Sequence, residues 1–448
     1  MPDGYDLVVI GSGVAGNKVA LKCAGRGWRV ALVEERPPGG TCALRGCNPK
    51  KVLTSAAEVM DRLQRMEGRG LTPGSGIDWE RLIDFKGTFV KEVPEGHRRN
   101  YDRAGITVYR GKASFVDRLS LRVGDYLVEG DKMLIATGAR PSPLGVEGEE
   151  LLTLSDDFLD MRSLPKRLLF VGGGYVSMEF SHVTATAGFR TRVLHRGDRV
   201  LKGFDPDLAE RMAEVSGEMG VEMCLGQELH ALRREGGELV VEALHDGLPV
   251  EHRTDLAVHG AGREPNLEGL GLDLAGVRYD GRGILVNGHM QSISNPDVYA
   301  AGDVTAGRMP LSSVADHEAF VVGNNLLKGN QMEVDYTGIP TVVFTSPPLA
   351  RVGVTVKEAE EKGLDFEVKQ GDRTGSNSER RVASRYSGYK VLVENGTGSI
   401  LGAHLMGHHA EESINVFGLA MRYGLTAGQI KSMPFSFPTG VYDTRYMV

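Results

Sequence analysis

The apolar positions of the chain fall into short runs broken by glycine turns and by stretches at helical spacing. Tyr5-Asp6-Leu7-Val8-Val9-Ile10 is almost continuously apolar, the pattern of a parallel strand buried on both faces. Gly11-Ser12-Gly13-Val14-Ala15-Gly16 follows at once. Ala15, Val19 and Cys23 then share one helical face, and a second strand-like run covers Arg29 to Glu34. Strand, glycine turn, helix, strand predicts a βαβ unit that takes a pyrophosphate at the helix N-terminus, with Glu34 on the ribose hydroxyls. A plain tight turn is the alternative for the glycines alone. Cys23 belongs to the core face and is expected to be inert.

The pattern returns from Arg167 to Val171, with the turn Gly172-Gly173-Gly174-Tyr175-Val176-Ser177, a helix to Ala187 and a strand from Arg190 to Leu194. Ser177 replaces the last glycine but is still small. An NAD-binding unit would usually end this strand in an acid, whereas here it ends in His195-Arg196, with Arg199 and Lys202 nearby. Cations there fit a 2′-phosphate and favour NADP over NAD. A solvated basic surface is the alternative.

Between the two units, helical spacing runs from Cys47 through Arg69, followed by a Gly/Pro loop from Leu71 to Gly76 and a further amphipathic stretch. Residues 107–134 alternate as short strands and lead into Met133-Leu134-Ile135-Ala136-Thr137-Gly138-Ala139-Arg140-Pro141. That strand-to-Thr-Gly turn suits a backbone returning to the same nucleotide. It is echoed by Val258-His259-Gly260-Ala261-Gly262-Arg263-Glu264-Pro265-Asn266. Asp297 to Val304 closes another strand with Asp303 at its carboxyl end, where ligands of a parallel sheet gather. Near Gln331 the style changes: strand-like runs (Thr341 to Phe344, Tyr389 to Val393) alternate with helices (Glu412 to Tyr423) without a glycine fingerprint. This predicts a separate α+β domain.

A chain of 448 residues buries a large core and should form two or three domains. Its net charge of −7 argues against nucleic acid as a partner, and no apolar run is long enough to span a bilayer. The first strand begins too early for a signal peptide to precede it, and four cysteines are too few for a disulfide framework. A cytoplasmic setting is therefore expected, where a close cysteine pair is more often catalytic or metal-binding than structural. Cys224 has no partner in sequence and reads as structural.

Such a pair lies in Gly39-Gly40-Thr41-Cys42-Ala43-Leu44-Arg45-Gly46-Cys47-Asn48-Pro49-Lys50-Lys51. In an ideal helix, positions i and i+5 have Cα atoms roughly 8–9 Å apart, whereas a disulfide needs less than about 7 Å. If Cys42 and Cys47 pair, the backbone between them must be tighter than a helix, which Gly46 and Pro49 would help.

Taken together, the Gly11–Gly16 turn, Gly39-Gly40-Thr41-Cys42, Gly46-Cys47, Pro49-Lys50, Ala136-Thr137-Gly138, Gly172 to Glu179, Gly262-Arg263 and Ala301-Gly302-Asp303 carry a likeness along essentially the whole chain. The sequence resembles the flavoprotein disulfide reductases, the class I pyridine nucleotide-disulfide oxidoreductases that include glutathione reductase, lipoamide dehydrogenase and mercuric reductase. The resemblance implies an α/β fold with two Rossmann-like dinucleotide-binding domains, one for FAD and one for NADPH, and a C-terminal α+β dimerisation domain. The implied boundaries are 1–146 and 264–333 for a split FAD domain, 147–263 for the NAD(P) domain and 334–448 for the interface domain of a homodimer. It implies that Cys47 faces the flavin, that Cys42 is the interchange thiol meeting substrate, and that Lys50 lies near the flavin N5 and pairs with Glu179. A structural ion pair is the bland reading of those two. Tyr175 would be the lid over the nicotinamide.

For FAD, the resemblance implies contacts from Gly11, Gly13, Val14 and Gly16, from Glu34 and Glu35, and from Gly40, Thr41 and Lys50. Ala113, Thr137, Gly138 and Asp303 complete that set, with Asp303 on the ribityl chain. For the nicotinamide nucleotide it implies Gly172, Gly174, Tyr175, Val176 and Glu179, with Arg196 and Lys202, and it adds Gly262 and Arg263 to the cofactor-binding residues.

One part of the pattern breaks. The family ends in a His-Pro-Thr motif with a glutamate five positions after the histidine, an acid/base pair lent by the other subunit. Here Pro434-Phe435-Ser436-Phe437-Pro438-Thr439-Gly440-Val441-Tyr442-Asp443 puts Phe437 at the histidine and Tyr442 at the glutamate. A missing general base is worth ~10²–10⁴ in rate. Leu21 stands where glutathione reductases carry a substrate-binding arginine, and the tail has no cysteine pair of the kind found in mercuric reductase. Arg45 replaces a usual aliphatic residue; it can steady an anion or simply face solvent.

The aromatic at position 437 resembles 2-ketopropyl coenzyme M oxidoreductase/carboxylase, although that branch has histidine where Tyr442 sits. His317 is a candidate substitute base. His408-His409 is not expected to bind metal, because adjacent loop histidines rarely converge on one ion. The expected activity passes electrons from NADPH to FAD, to Cys42–Cys47, and on to a small disulfide or other electrophile. Reductive cleavage or carboxylation, and reduction of a protein partner, are the alternatives. No membrane or nucleic-acid partner is expected.

Overall fold

The computed structural model describes residues 4–72, 74–307 and 309–448, so Pro73 of the expected Leu71–Gly76 loop lies outside the described residues. The chain divides into two compact units. One comprises the residues up to Lys50, Asp84–Ser142 and Arg263–Tyr336, and the other Lys51–Ile83, Pro143–Gly262 and Thr337–Val448. Among the described residues no helix is long and apolar enough to cross a membrane.

The first unit is built on a parallel sheet in which Thr107–Arg110, Val30–Glu34, Tyr5–Ile10 and Tyr126–Ile135 lie side by side, with Val298–Ala300 on the far side of the last. Leu7, Val8 and Val9 are fully buried, as a continuous apolar run in a two-sided sheet requires. Tyr126–Ile135 belongs to two sheets. Its exposed first half pairs antiparallel with Ser120–Val123, which in turn pairs with Ala113–Phe115, and its buried second half joins the parallel sheet. The helix Val14–Ala24 packs Ala15, Val19 and Cys23 into a core shared with Ala315, Ala319 and Val322 of the helix Ser312–Lys328. Burial pushes the Cys23 thiol up to about 12, so it stays protonated.

The turn after Tyr5–Ile10 accepts only glycine. Gly11 has φ +99°, and a Cβ there would sit 2.4 Å from the Ala136 carbonyl oxygen.

The second unit repeats this construction. Val221–Leu225, Arg190–His195, Arg167–Val171 and Leu256–His259 form a four-stranded parallel sheet. Gly172, at φ +106°, is pressed against Gly260, whose oxygen a Cβ would meet at 2.5 Å. Ser177 is buried in place of a third glycine. A three-stranded antiparallel sheet spans Gln227–Glu235, Glu238–His245 and Leu248–Thr254. The C-terminal part is a five-stranded antiparallel sheet in the order Thr341–Val343, Leu349–Gly353, Ile400–Met406, Gly388–Glu394, Phe366–Asp372. The helix Ala410–Tyr423 covers it with Ile414 and Phe417.

The helix from Cys47 ends at Arg65 rather than Arg69. Gly68 and Gly70 take left-handed backbone angles (φ +69° and +100°), and Gly68 N–H donates to Leu71 O across a tight turn that no helix can continue through.

One face of that helix carries Asp61, 1% exposed, which accepts hydrogen bonds from Arg65 Nε (2.8 Å), Ser346 Oγ (2.8 Å) and an Arg385 guanidinium nitrogen (3.0 Å). Removing a carboxylate from two half-buried cations leaves them uncompensated. Asp61→Ala is expected to lower stability by about 3–5 kcal/mol, measured as a fall in the denaturant midpoint, whereas Lys357→Ala, at an exposed pair with Glu361, should change it little.

Candidate active site

The redox loop is two helices meeting at a break. Gly40–Arg45 stops at Gly46, whose φ −144° and ψ −113° lie outside the helical region, and Cys47–Arg65 starts at the next residue. The expected tightening therefore falls on Gly46 alone. Pro49 sits inside the first turn of the second helix, where its missing N–H costs nothing.

Both cysteines are thiols in this structure, Cys42 half-buried and Cys47 exposed. Cys47 Sγ lies 3.1 Å from Ser312 Oγ, on the first residue of Ser312–Lys328. The Cys47 thiol is lowered to about 6 by the hydrogen bond from Cys42, then by the Ser312 hydroxyl and the Lys50 charge, against the opposing effect of burial. The same hydrogen bond, burial and the Asp303 carboxylate push Cys42 up. The pair is therefore unequal at neutral pH: Cys47 is the thiolate and Cys42 the thiol.

The loop is fixed to the dinucleotide turn. A Cβ on Gly40 (φ +68°) would lie 2.4 Å from Gly13 Cα, so backbone touches backbone. Gly39 N–H donates to Ser12 Oγ (3.1 Å), and Ser12 donates from both its hydroxyl (2.6 Å) and its N–H (2.9 Å) to Glu34 Oε2. Arg36 N–H donates to Glu34 Oε1 at 3.0 Å. Glu34 thus stands at the turn, as the spacing predicts, while Glu35 and Thr41 are exposed and Val14 is half-buried.

The helix Val14–Ala24 has Gly13 as N-cap and no side chain capping it, so its first-turn N–H groups face the turn. A bare helix N-terminus between two side-chain-free glycine backbones fits the pyrophosphate of FAD.

Around this centre, Thr137 Oγ1 donates to Asn266 O (2.8 Å), and Asn266 N–H donates to Gly138 O (2.9 Å). Ala139–Pro141 pairs with Arg263–Pro265, and the Arg263 guanidinium donates to Ala139 O at 2.5 Å. The two Thr-Gly-like turns noticed in sequence are therefore neighbours. Asp303 is half-buried, its carboxyl pushed up by burial and held down by Arg263. Ala113 is buried on its strand.

Two residues that sequence reasoning missed support the site. Ser312 touches Cys47 across 265 residues of chain. Glu318, fully buried, accepts from Gly302 N–H (2.6 Å) and Tyr336 Oη (2.7 Å) and so sets the turn before Asp303. The only signal for Glu318 was an acid on the apolar face of a helix. His317 is half-buried, with Nε2 enclosed and without a hydrogen-bond partner among the described residues.

In the second unit, Gly174 caps Tyr175–Thr186, again with no side-chain cap. Tyr175 is exposed, Val176 half-buried and Glu179 2% exposed, with Oε1 accepting from Phe344 N–H at 2.9 Å. The His195 ring covers Gly173, where a Cβ would be 2.7 Å from it, and a Cβ on Gly197 would meet both His195 Nε2 (2.9 Å) and Lys202 Cε (3.1 Å). Burial first, and then the Lys202 and Arg196 charges, lower the His195 pKa. Among the described residues Arg196, Arg199 and Lys202 form no ion pair, and Arg199 Nε is enclosed without a partner. Unpaired cations around an uncapped helix N-terminus fit a phosphorylated nucleotide. Gly262 is exposed at φ +124°.

At the C-terminus, Phe437 is 71% exposed and meets the half-buried Tyr442 edge-on, ring centres 4.9 Å apart. Tyr446 continues the stack at 5.9 Å, and the Arg445 guanidinium lies over Tyr442 at 5.2 Å. Thr439 caps the short helix Gly440–Asp443 through Tyr442 N–H. His408 and His409 stack at 3.7 Å. Among the described residues no group of three or more His, Cys, Asp or Glu side chains is arranged to hold a metal ion.

The sequence pattern of the pyridine nucleotide-disulphide oxidoreductases matches residues 5–319, and that of their dimerisation domain matches residues 339–443. The chain belongs to this family. It is similar to glutathione reductase of Burkholderia cepacia, 31% identical over 98% of this chain and 96% of that protein. It is 32% identical to mercuric reductase of Lysinibacillus sphaericus over 95% and 78%, and 30% identical to dihydrolipoyl dehydrogenase of Chlamydia muridarum over 98% and 95%. Among solved structures it superposes on the HOCl-induced flavoprotein disulfide reductase RclA of Escherichia coli, captured as a Cu(II) complex, with TM-score 0.89, 27% identity and 99% of each chain covered. The protein is thus a flavoprotein oxidoreductase of the disulfide-reducing class. It uses FAD and a pyridine nucleotide, and carries the α/β fold and the dimerisation domain of a homodimer.

Because the Cys47 thiolate is held by donors, its titration reports on them. In the reduced protein, alkylation of Cys47 should rise through a midpoint near pH 6. Cys42→Ala should move the midpoint upward, and Ser312→Ala should do so by less. A midpoint that neither variant moves would contradict the assigned cause.

Proposed function

We propose that the protein is an NADPH-dependent oxidoreductase in which the Cys42–Cys47 couple passes an electron pair from bound FAD to a small acceptor. The observation that carries this reading is the inequality of the two thiols, Cys47 held as thiolate by the Cys42 hydrogen bond, the Ser312 hydroxyl at 3.1 Å and Lys50, and Cys42 kept protonated. When bound, NADPH supplies a hydride and FAD relays its electron pair to the disulfide.

The chain's own residues then divide the work. Cys47 stays ionised on the flavin side, Cys42 attacks the acceptor, Lys50 stands near the flavin N5, and Arg196, Arg199 and Lys202 favour the 2′-phosphate. With a disulfide acceptor, Cys42 forms a mixed disulfide and expels one thiolate. Cys47 then attacks Cys42, expels the second thiolate and re-forms the pair. Each leaving thiolate needs a proton.

The exposed Phe437 against Tyr442 favours a second reading of the acceptor. Neither ring offers an imidazole to protonate a leaving thiolate, whereas a thiophilic metal ion needs no protonation. Two Cu(II) would take the two electrons of the Cys47 thiolate and Cys42 thiol, giving two Cu(I), the Cys42–Cys47 disulfide and the one proton that Cys42 carried. The mercuric reductase relatives and the RclA copper complex support including such ions.

Anaerobic NADPH titration of the FAD-loaded protein should develop the long-wavelength band of a thiolate against oxidised flavin, lost in Cys47→Ser. Its absence in protein with intact FAD and reducible cysteines would overturn the mechanism. The double change Phe437→His with Tyr442→Glu should raise small-disulfide turnover at least about tenfold and leave Cu(II) reduction within about twofold. Equal effects on both acceptors would overturn the proton-free reading.

A further inference from the structure

Three adjacent strands of the C-terminal sheet place Arg351, His404 and Lys390 in one cross-strand row, Arg351 opposite His404 and His404 opposite Lys390. Cations drawn out of water on one face of a sheet need partners, so the row calls for compensation. His404 is 1% exposed and lowered in pKa by burial, so it is neutral at physiological pH. The two remaining cations are answered from a single segment of the nucleotide-binding fold. The Arg351 guanidinium donates to Gly203 O. Lys390, 8% exposed, pairs with Asp205 at 2.9 Å and Asp207 at 2.6 Å. Asp205 is itself 1% exposed and caps the helix Pro206–Glu218 through Leu208 N–H.

That segment directly follows the loop bearing Arg196, Arg199 and Lys202. The loop is pinned at its middle by Leu201 N–H donating to Gly173 O (2.8 Å) on the glycine turn, and by Phe204 N–H donating to Leu201 O (2.8 Å). Leu201 is buried with φ +53°, a left-handed conformation that a branched side chain holds only when its surroundings impose it. The loop therefore has one anchor on the nucleotide turn and a second on the dimerisation domain.

We infer that Arg351 and Lys390 are positioning residues for nucleotide selection, holding the Arg196–Phe204 loop so that its cations face the 2′-phosphate. This rests on the NADPH reading above. Neither side chain touches the nucleotide. Both act through Gly203, Asp205 and Asp207, and the domain that builds the dimer thereby shares in choosing NADPH over NADH.

The experiment is titration of the FAD-loaded protein with NADP⁺ and NAD⁺, and with 2′,5′-ADP and 5′-AMP as fragments that differ only in the 2′-phosphate. The wild-type ratio comes first. If NADP⁺ binds no better than NAD⁺, the reading beneath the inference fails and the inference with it. If NADP⁺ is preferred, Lys390→Met and Arg351→Met should each weaken NADP⁺ and 2′,5′-ADP about tenfold, the loss of roughly one charge-assisted contact. NAD⁺ and 5′-AMP should change less than about twofold. In a Lys202→Met background, Lys390→Met should add little, because the two act in series.

Unchanged NADP⁺ affinity, or equal weakening of all four ligands, would overturn the positioning role while leaving the NADPH reading intact. Should Lys390→Met fail to fold, Asp207→Asn removes the exposed partner alone and should weaken NADP⁺ about threefold with NAD⁺ unchanged. No selective loss in that variant would likewise overturn the role.

Discussion

The contact between Gly13 and Gly40 is the constraint on which the redox half of the protein depends. One glycine caps the helix whose bare N-terminus fits the cofactor's phosphates, the other opens the helix that carries Cys42, and a single methyl group on Gly40 would meet Gly13 Cα at 2.4 Å. Ser12 ties the two turns together, donating to Glu34 on one side and accepting from Gly39 on the other. A cysteine pair that exchanges electrons with a flavin must be held at fixed distance from it, and a flexible loop would not do this. Here the loop is fixed to the glycine turn proposed to take the dinucleotide, so on that reading positioning the cofactor also positions the thiols.

The electron path follows from that arrangement, and the proton path does not. Ser312, Lys50 and Cys42 all stabilise negative charge at Cys47, which is what a thiolate stacked on an oxidised flavin needs. The opposite task, delivering a proton to what leaves Cys42, falls in the family to an imidazole–carboxylate pair. Phe437 and Tyr442 replace it with an edge-on aromatic pair. Neither ring carries an imidazole or a carboxyl group. On the reading proposed above, acceptors that demand no proton suit this pair of rings better than those that do.

Much of this was legible in the sequence because glycine requirements are local. Gly11 and Gly172 are needed where a strand end presses on a neighbouring backbone, and that need shows as a glycine after an apolar run. The likeness of the two Thr-Gly-like turns was visible as an echo between residues 136–141 and 258–266, but their pairing came only with the structure. The break at Gly46 was legible too, whereas the part given to Pro49 was not, because its place in the first turn is set by where the helix begins. Ser312 and Glu318 were invisible for a different reason: their roles are fixed by tertiary approach, across 265 residues for Ser312 and across turns beyond its own helix for Glu318, and a serine or an acid on a helix carries no local mark of that. The early stop at Arg65 follows from Gly68 and Gly70 adopting left-handed angles, which helical periodicity alone does not weigh.

The nucleotide half shows how a binding preference can be distributed. A basic cluster on a loop gains selectivity only if the loop cannot move away from the phosphate, since a mobile cation is worth little against solvent. The Arg196–Phe204 loop is fixed through Leu201 to the glycine turn and through Asp205 to Lys390. Burying Asp205 and most of Lys390 is costly unless each finds a partner, and each does so in the other. The same pair that answers a row of like charges in the C-terminal sheet thus also sets the far end of the basic loop. A substitution far from any ligand, at a sheet position that looks purely structural, is then a route by which the family's nucleotide preference can change.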